Sequence, residues 1–348
     1  MSSTSTVTAF DRVPVIDISG LYSDRLEDRL QVAEALGSAA RDIGFLYVVG
    51  HPVAQATIEG LRKAAKAYFA QPLETKMRDY IGTSKTHKGF VPRGEEVYGK
   101  GVPDLKEAFD IGFEVPADHP LVLGGTPLLG PNEWPLLDGF REAASRYYDE
   151  VFALGHKLFQ GFALALGLDE HYFDEMAKAP PSKLRLIHYP FDANAEDAPG
   201  IGAHTDYECF TILLADSPGL EVLNAEGSWI DVPPIEGAFV VNIGDMLEVM
   251  TNGAFVATAH RVRKVSQERY SFPLFYACDY HTRIEPLAQF DDGERRYETM
   301  AIGEHMYAQA LQTYQYLKRK VEAGELSLPQ RSRKPSSFGH LKQQSMND

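Results

Sequence analysis

The segment Gly200-Ile-Gly-Ala-His-Thr-Asp-Tyr207 holds an imidazole and a carboxylate two positions apart, His204 and Asp206. On a strand, positions i and i+2 face the same way, so both side chains converge on one side of a sheet. A further histidine, His260, opens another strand-like segment 54 residues on (260 − 206). An antiparallel double sheet can bring that strand beside the first. Two imidazoles and one carboxylate on one face, with other coordination positions open, form a ligand set for redox-active iron(II). Alone, His-x-Asp occurs by chance in many proteins, most often as a surface hydrogen bond. Eleven histidines make an unrelated third one easy to find.

A second pair of residues, just beyond His260, points to a built site. Arg269-Tyr-Ser271 begins nine residues later, in the next expected strand, and Arg269 and Ser271 again stand at i and i+2. A guanidinium beside a hydroxyl suits a carboxylate, gripped bidentately by the arginine with one added hydrogen bond. Tyr189, in Leu-Ile-His-Tyr-Pro, offers a second hydroxyl or is an ordinary buried tyrosine.

These groups need elements to carry them. In the second half the hydrophobic period is two. Leu184–Tyr189, Phe210–Leu214, Leu220–Leu223, Trp229–Val232, Ala238–Asn242, Arg261–Val265 and Tyr270–Ala277 read as strands. Turn signals separate them at Pro218-Gly219, Gly227-Ser228, Pro233-Pro234, Gly244-Asp245 and Asn252-Gly253. Many short strands with regular turns imply a sandwich or barrel. Helices cluster earlier: one behind an Asp24/Glu27 capping box and ending at Gly44, one over about 57–69, and a long one over about 137–166. Val13–Asp17 reads as an edge strand because Pro14 cannot donate to a central ladder, and Phe45–Val49 as a buried one. Residues 80–135 read as loop and short strand, a length that is usually functional or a mobile lid. A single final helix is expected over about 304–321.

The chain is therefore expected to be mainly β with flanking helices, folded as one structural unit. Residues 1–135 would form an N-terminal helical and strand region packed on the core. Residues 136–328 would form the core with its long and C-terminal helices, and 329–348 a polar tail dispensable for folding.

Composition excludes several classes. With 34 Lys plus Arg against 49 Asp plus Glu, the net charge is −15, the wrong sign for a nucleic-acid binder held by counterion release. Two cysteines, Cys209 and Cys278, cannot build a disulfide framework and are compatible with a reducing compartment. No apolar run is long enough for a membrane helix, and the first twelve residues lack the apolar stretch of a signal peptide. A cytoplasmic protein of open oligomeric state, with neither nucleic acid nor membrane as partner, is expected. No phosphate loop, nucleophile elbow or Cys-x-x-Cys occurs.

Taken in order, the motifs resemble one family. They are Val13–Asp17, Ala40-Arg-Asp-Ile-Gly-Phe-Leu-Tyr-Val-Val-Gly-His-Pro52, His-Tyr-Pro190, Gly202-Ala-His-Thr-Asp206, Asn242-Ile-Gly-Asp245, Thr251-Asn-Gly253, Ala259-His-Arg-Val262 and Arg269-Tyr-Ser271. Over most of residues 13–290 the chain is similar to the isopenicillin N synthase-like family of Fe(II)- and 2-oxoglutarate-dependent dioxygenases. The resemblance implies a distorted jelly roll, or double-stranded β-helix, with helices outside. It implies iron at His204, Asp206 and His260, and the distal carboxylate of 2-oxoglutarate at Arg269 and Ser271 with help from Tyr189. Asn242 would sit near the cosubstrate or serve as a turn-stabilising amide. The implied reaction consumes O2 and 2-oxoglutarate, releases succinate and CO2, and hydroxylates, desaturates or cyclises a small molecule.

Substrate contacts are less defined. Arg185 would hold a substrate carboxylate or position the cosubstrate end. Tyr207 and Phe275 would wall the pocket or pack in the core, with packing favoured. Phe90 lies in the loop 87–96, which corresponds to a substrate-side loop in relatives; Lys88 and Arg93 there read as a surface charge cluster. Three alternatives stay open: an isopenicillin-type oxidase that spends the Arg-x-Ser pair on its own substrate, an ethylene-forming enzyme, and an inactive jelly-roll binding protein.

Overall fold

A computed structural model describes residues 9–98, 102–103, 106–191, 200–264, 267–293, 297 and 299–328. The polar tail lies outside the described residues. The strands are β1 (Val15–Asp17), β2 (Phe45–Val49), β3 (Gly89–Val91), β4 (Val97–Tyr98), β5 (Val102–Pro103), β6 (Glu107–Gly112), β7 (Lys183–Tyr189) and β8 (Ile201–His204). They continue as β9 (Phe210–Ala215), β10 (Leu220–Leu223), β11 (Trp229–Asp231), β12 (Phe239–Ile243), β13 (His260–Val262), β14 (Arg269–Tyr276), β15 (Arg283–Ile284) and β16 (Met300–Ala301). The helices are α1 (Leu26–Asp42), α2 (Gln55–Phe69), α3 (Leu73–Lys76), α4 (Pro120–Leu123), α5 (Phe140–Ala165), α6 (Asp245–Met250), α7 (Ile302–Thr313) and α8 (Gln315–Glu322).

Two sheets form a jelly roll flanked by helices. The larger has eight strands in the order β1-β2-β12-β9-β14-β7-β6-β3, and the smaller four, β11-β10-β13-β8. Only β1 and β2 run parallel; the other pairs in these sheets are antiparallel. Strand alternation divides the large sheet into two faces. Leu184, Leu186, Phe210, Ile212, Phe272, Leu274 and Tyr276 face out and join the core under α1, α2 and α5. Lys183, Arg185, Ile187, Tyr189, Arg269, Ser271, Phe275 and Thr211 take the other face, toward the small sheet. The stripe on α5 supplies Phe140, Ala144, Tyr147, Val151, Leu154, Leu158 and Phe162, all buried. Gly155 lets α5 approach the sheet: a Cβ there would meet Tyr276 at 2.5 Å.

Several local expectations need correction. The α1 N-cap is Arg25, which makes no side-chain cap bond. Ser23 and Asp28 bond to each other instead, at 2.6 Å, so Asp24 and Glu27 form no capping box. Residues 80–135 contribute β3 and β6 to the large sheet, and all six residues of β6 are buried. Their mixed polarity hid this, because polar Glu107 and Asp110 are buried against cations. Gly244-Asp245 is not a plain turn but the start of α6. The final helix is two helices, broken at Tyr314, whose backbone is extended (φ −83°, ψ 129°). The strand expected to reach Val265 ends at Val262, and Val265 lies outside the described residues.

Candidate metal centre and substrate cavity

β8 and β13 pair so that His204 and His260 stand directly opposite each other. β8 ends at His204, so Asp206 is not on the strand as expected. A loop delivers it instead. Its backbone carbonyl accepts from Asp245 N at 2.8 Å, while Gly244 N donates to Cys209 O at 2.9 Å. Gly244 must lack a side chain, since a Cβ there would meet Glu208 O at 2.1 Å.

Asp206 Oδ1 lies 3.6 Å from Nε2 of His204 and 3.6 Å from Nε2 of His260. All three ligand atoms fall within 4.8 Å of one another. The second oxygen, Oδ2, is occupied: Asn242 Nδ2 donates to it at 2.8 Å, and Thr211 Oγ1 bonds to it as well. Asn242 therefore orients the metal carboxylate rather than acting only as a turn amide. His204 Nδ1 is 2.8 Å from Gly202 O, and His260 Nδ1 is 3.2 Å from Thr258 O. Those carbonyls favour the protons on Nδ1 and turn both Nε2 atoms toward Asp206, where they could ligate a metal. Burial and the neighbouring His260 bring His204 down to about 4, so its imidazole is neutral at pH 7, the form that can ligate a metal. Burial acts to raise Asp206, but His260 and His204, with the Asn242 bond, outweigh it and keep the carboxylate ionised. The donor set fits a mononuclear divalent iron.

Arg269 is 1% exposed. Its Nε donates to Ser217 O at 3.1 Å, its guanidinium lies 4.8 Å from the Tyr189 ring centre, and Nη1 is buried with no partner. An orphaned guanidinium nitrogen inside a protein calls for an anion. Ser271 shares the face of Arg269 at i+2. Val262, two residues past His260, and Arg269 both approach Gly219, where a Cβ would meet each at 3.5 Å. The orphaned donor thus belongs to a side chain that approaches β13, the strand carrying His260, and fits a carboxylate.

A cavity opens beside His204 and Asp206 and is also lined by Tyr207, Phe275 and Arg185. Arg185 does not offer a free fork. Its Nε and Nη2 each bond Asp110 at 2.7 Å, and Nη1 bonds Glu96 at 2.7 Å. It is a wall of the cavity, neutralised from behind. Phe90 is a correction: it is fully buried among Tyr68 and Lys76 and does not line the cavity. Lys88 is a second one. It is 2% exposed, not a surface charge, and its Nζ reaches Gly130 O at 2.6 Å and Phe113 O at 3.2 Å. Burial lowers it to about 8. Arg93 is exposed as expected.

Sequence reasoning passed over Thr211, Lys183 and Glu208. One of them was within reach of the i, i+2 rule: Lys183 precedes Arg185 by two on β7, whereas Glu208 lies on the loop after β8. Burial, with the charge of Asp206, pushes Glu208 up to about 8.

A jelly roll carrying two imidazoles and a carboxylate, with a buried cationic anchor beside them, defines the class of non-haem iron oxygenases. Comparison with known proteins gives the family. Residues 13–136 match the family described as non-haem dioxygenase in morphine synthesis N-terminal, and 180–277 match the 2OG-Fe(II) oxygenase superfamily. The 2-oxoglutarate-Fe(II) type oxidoreductase hxnY of Emericella nidulans is 35% identical over 275 residues, 76% of this chain and 79% of that one. Homoarginine-6-hydroxylase 2-ODD-C23.1 of Arabidopsis thaliana is 36% identical over 80% of this chain and 89% of its own. A full-length Neurospora crassa protein, solved in complex with alpha-KG and thymine, superposes with a TM-score of 0.75 at 26% identity, over 93% of this chain and 99% of that one. This chain belongs to the 2OG-Fe(II) oxygenase superfamily. It is an Fe(II)- and 2-oxoglutarate-dependent oxidoreductase acting on a small molecule. Among the described residues no helix is long and apolar enough to cross a membrane.

Proposed function

We propose that His204, Asp206 and His260 hold the iron, and that Arg269, with Ser271 and Tyr189, holds the distal carboxylate of 2-oxoglutarate. The observation that carries this is the pairing of three converging ligand atoms with a buried guanidinium nitrogen that has no partner. Bound iron with 2-oxoglutarate supplies the oxidising power for attack on a substrate C–H bond, with succinate and CO2 released. The protein's own part is positional. Asn242 and Thr211 hold Asp206 so that one oxygen faces both imidazoles. Gly202 and Thr258 carbonyls set both tautomers. Phe275 and Tyr207 line the space beside the triad and keep it partly dry.

The two buried free thiols, Cys209 and Cys278, with Sγ atoms 3.7 Å apart, support a reducing, cytoplasmic setting. Strands β1, β2, β3 and β6 in the large sheet support one working unit over residues 1–328.

Anaerobic titration tests the assignment. Apo protein given Fe(II) and then 2-oxoglutarate should develop the metal-to-ligand charge-transfer absorption of a keto-acid chelate. Asp206→Ala and His260→Ala should abolish it while the far-ultraviolet dichroism stays unchanged. A full band in either variant would overturn the ligand assignment.

A further inference from the structure

Facing residues on neighbouring strands share a side of the sheet. One such row crosses five strands: Gly112 on β6, Lys183 on β7, Phe275 on β14, Thr211 on β9 and Asn242 on β12. Thr211 and Asn242 hold Asp206 at one end. At the other, Lys88 lies over Gly112, where a Cβ would meet its Cε at 2.9 Å. Strands repeat at about 4.8 Å, so Gly112 and Thr211, three steps apart, are separated by roughly 14 Å. The cavity lies along this row, with Lys183 and Phe275 in its wall and the metal triad at one end.

Most charges lining it are matched by opposite ones. Lys106 pairs with Glu96, Arg185 with Glu96 and Asp110, and Lys183 with Asp110 at 3.2 Å. Two have no ion-pair partner within 4 Å among the described residues. Glu208, 7% exposed, accepts Tyr207 N at 3.1 Å, and Lys183 attracts it only from beyond ion-pair distance. Lys88, 2% exposed, bonds two carbonyls, while Glu114 and Glu133 attract it only from beyond ion-pair distance, and an ammonium has three protons to give. Near Glu208, Thr205 Oγ1 is also buried without a partner and lines the same space. Burial without a close counter-charge disfavours the ionised form of both groups, and a ligand that brings the missing charge to each restores it.

We propose that the substrate is dipolar, an amino-acid-like chain whose carboxylate is read by Lys88 and whose cationic nitrogen group is read by Glu208 beside the metal triad. The carbon presented for oxidation is then one close to the cationic end. The proposal rests on the iron assignment above and goes beyond it by naming the substrate class and the two specificity residues. A neutral substrate would leave both ends unmatched.

The test is calorimetric binding to the anaerobic enzyme loaded with Fe(II) and 2-oxoglutarate, using lysine, arginine and homoarginine, then citrulline and agmatine. Citrulline keeps the shape of arginine and removes the cation; agmatine removes the carboxylate. At least one dipolar probe should bind, and arginine should exceed both analogues by tenfold or more. Glu208→Gln should erase the arginine–citrulline difference and keep the arginine–agmatine one; Lys88→Met should do the reverse. Each variant must still form the 2-oxoglutarate band, which shows that it is folded and loaded. If none of the dipolar probes binds, if citrulline or agmatine binds as well as arginine, or if the preferences survive both substitutions, the proposal is overturned. Failure of the wild-type protein to form the band would instead overturn the iron and 2-oxoglutarate assignment.

Discussion

Asn242 Nδ2 stands 2.8 Å from Asp206 Oδ2, across 36 positions of sequence, and the bond leaves Oδ1 alone to face both imidazoles. The asparagine sits on β12, in the middle of the large sheet, where its own strand cannot shift. The carboxylate sits on a loop. A strand of the sheet therefore aims a side chain that a hydrogen-bonded loop carries. The same strand runs on into Gly244, whose backbone also ties that loop down.

Removing the bond should loosen the metal. Groups that orient a ligand typically contribute a factor of about 10–100 in metal affinity. Asn242→Ala should weaken Fe(II) binding by about that factor, and Asn242→Asp by more, because a second carboxylate would crowd Asp206. Competition titration with a chromogenic chelator measures both. Wild-type affinity in Asn242→Ala would make the asparagine a turn residue only.

The cosubstrate anchor makes a different prediction. Arg269→Gln deletes the fork and its charge, and charge-assisted hydrogen bonds contribute about 1.5–3 kcal/mol each. Affinity for 2-oxoglutarate should fall by roughly 10–100-fold or more. Arg269→Lys should rescue only part, since an ammonium cannot form the bidentate pair. Iron affinity should stay constant, because Arg269 is not among the converging ligand atoms. An equal loss of iron and 2-oxoglutarate affinity would mean that the substitution damages the fold.

How far this site was legible in the sequence depends on the distance over which its parts act. Arg269 and Ser271 carry their geometry locally: two positions on one strand must share a face. His204 and Asp206 obeyed the same rule for a different reason, since the strand stops at His204 and a hydrogen-bonded loop finishes the job. Asn242 showed up as a motif residue, but its partner is set by strand order, which no local pattern encodes. Lys88 looked like a surface charge because buried lysines are rare. The carbonyls of Gly130 and Phe113 and the more distant charges of Glu114 and Glu133, brought in by the folding of residues 106–133, make a buried one tolerable. The break at Tyr314 was likewise invisible. The helical pattern runs on through it, while the tertiary contacts of Tyr314 with Arg185 and His87 set its place.

The charged wall behind the cavity predicts an acid limb. Burial acts to raise Glu96 and Asp110, yet the Arg185 and lysine charges hold both below their ordinary values of 4.5 and 3.8. A carboxylate depressed in the folded state adds stability above its unfolded value, and that stability is lost as pH falls through the folded one. The thermal midpoint should therefore be insensitive to these groups above about pH 5 and drop steeply below about pH 4. Glu96→Gln breaks a buried ion pair, at a cost of about 3–5 kcal/mol near neutrality. It should also flatten the acid limb, because one titrating group is gone. Melting curves from pH 3 to 7 decide. An unchanged limb in Glu96→Gln would show that the loss of stability in acid comes from elsewhere.

Gly244 offers the sharpest test of how the metal loop is held. Its φ of −104° is open to any residue, so backbone strain plays no part. Space does: an added Cβ would come within 2.1 Å of Glu208 O and 3.3 Å of Asp206 O. Neither atom can retreat freely. Glu208 O accepts from Met246 N at 3.3 Å, and Asp206 O accepts from Asp245 N at 2.8 Å. Gly244→Ala must push the Asp206–Cys209 loop away from β12 and stretch the Asn242 bond with it. Overpacking of this kind costs about 1–3 kcal/mol. The displacement reaches the ligand, so iron affinity should fall further in Gly244→Ala than the loss of stability alone would suggest. A control such as Gly155→Ala crowds Tyr276 on the helix side of the sheet, the face opposite the triad, and should lower the melting temperature with iron affinity intact. Paired melting and iron titrations on the two variants separate the effects. Equal behaviour of the two would mean that the backbone of Gly244 does not position Asp206.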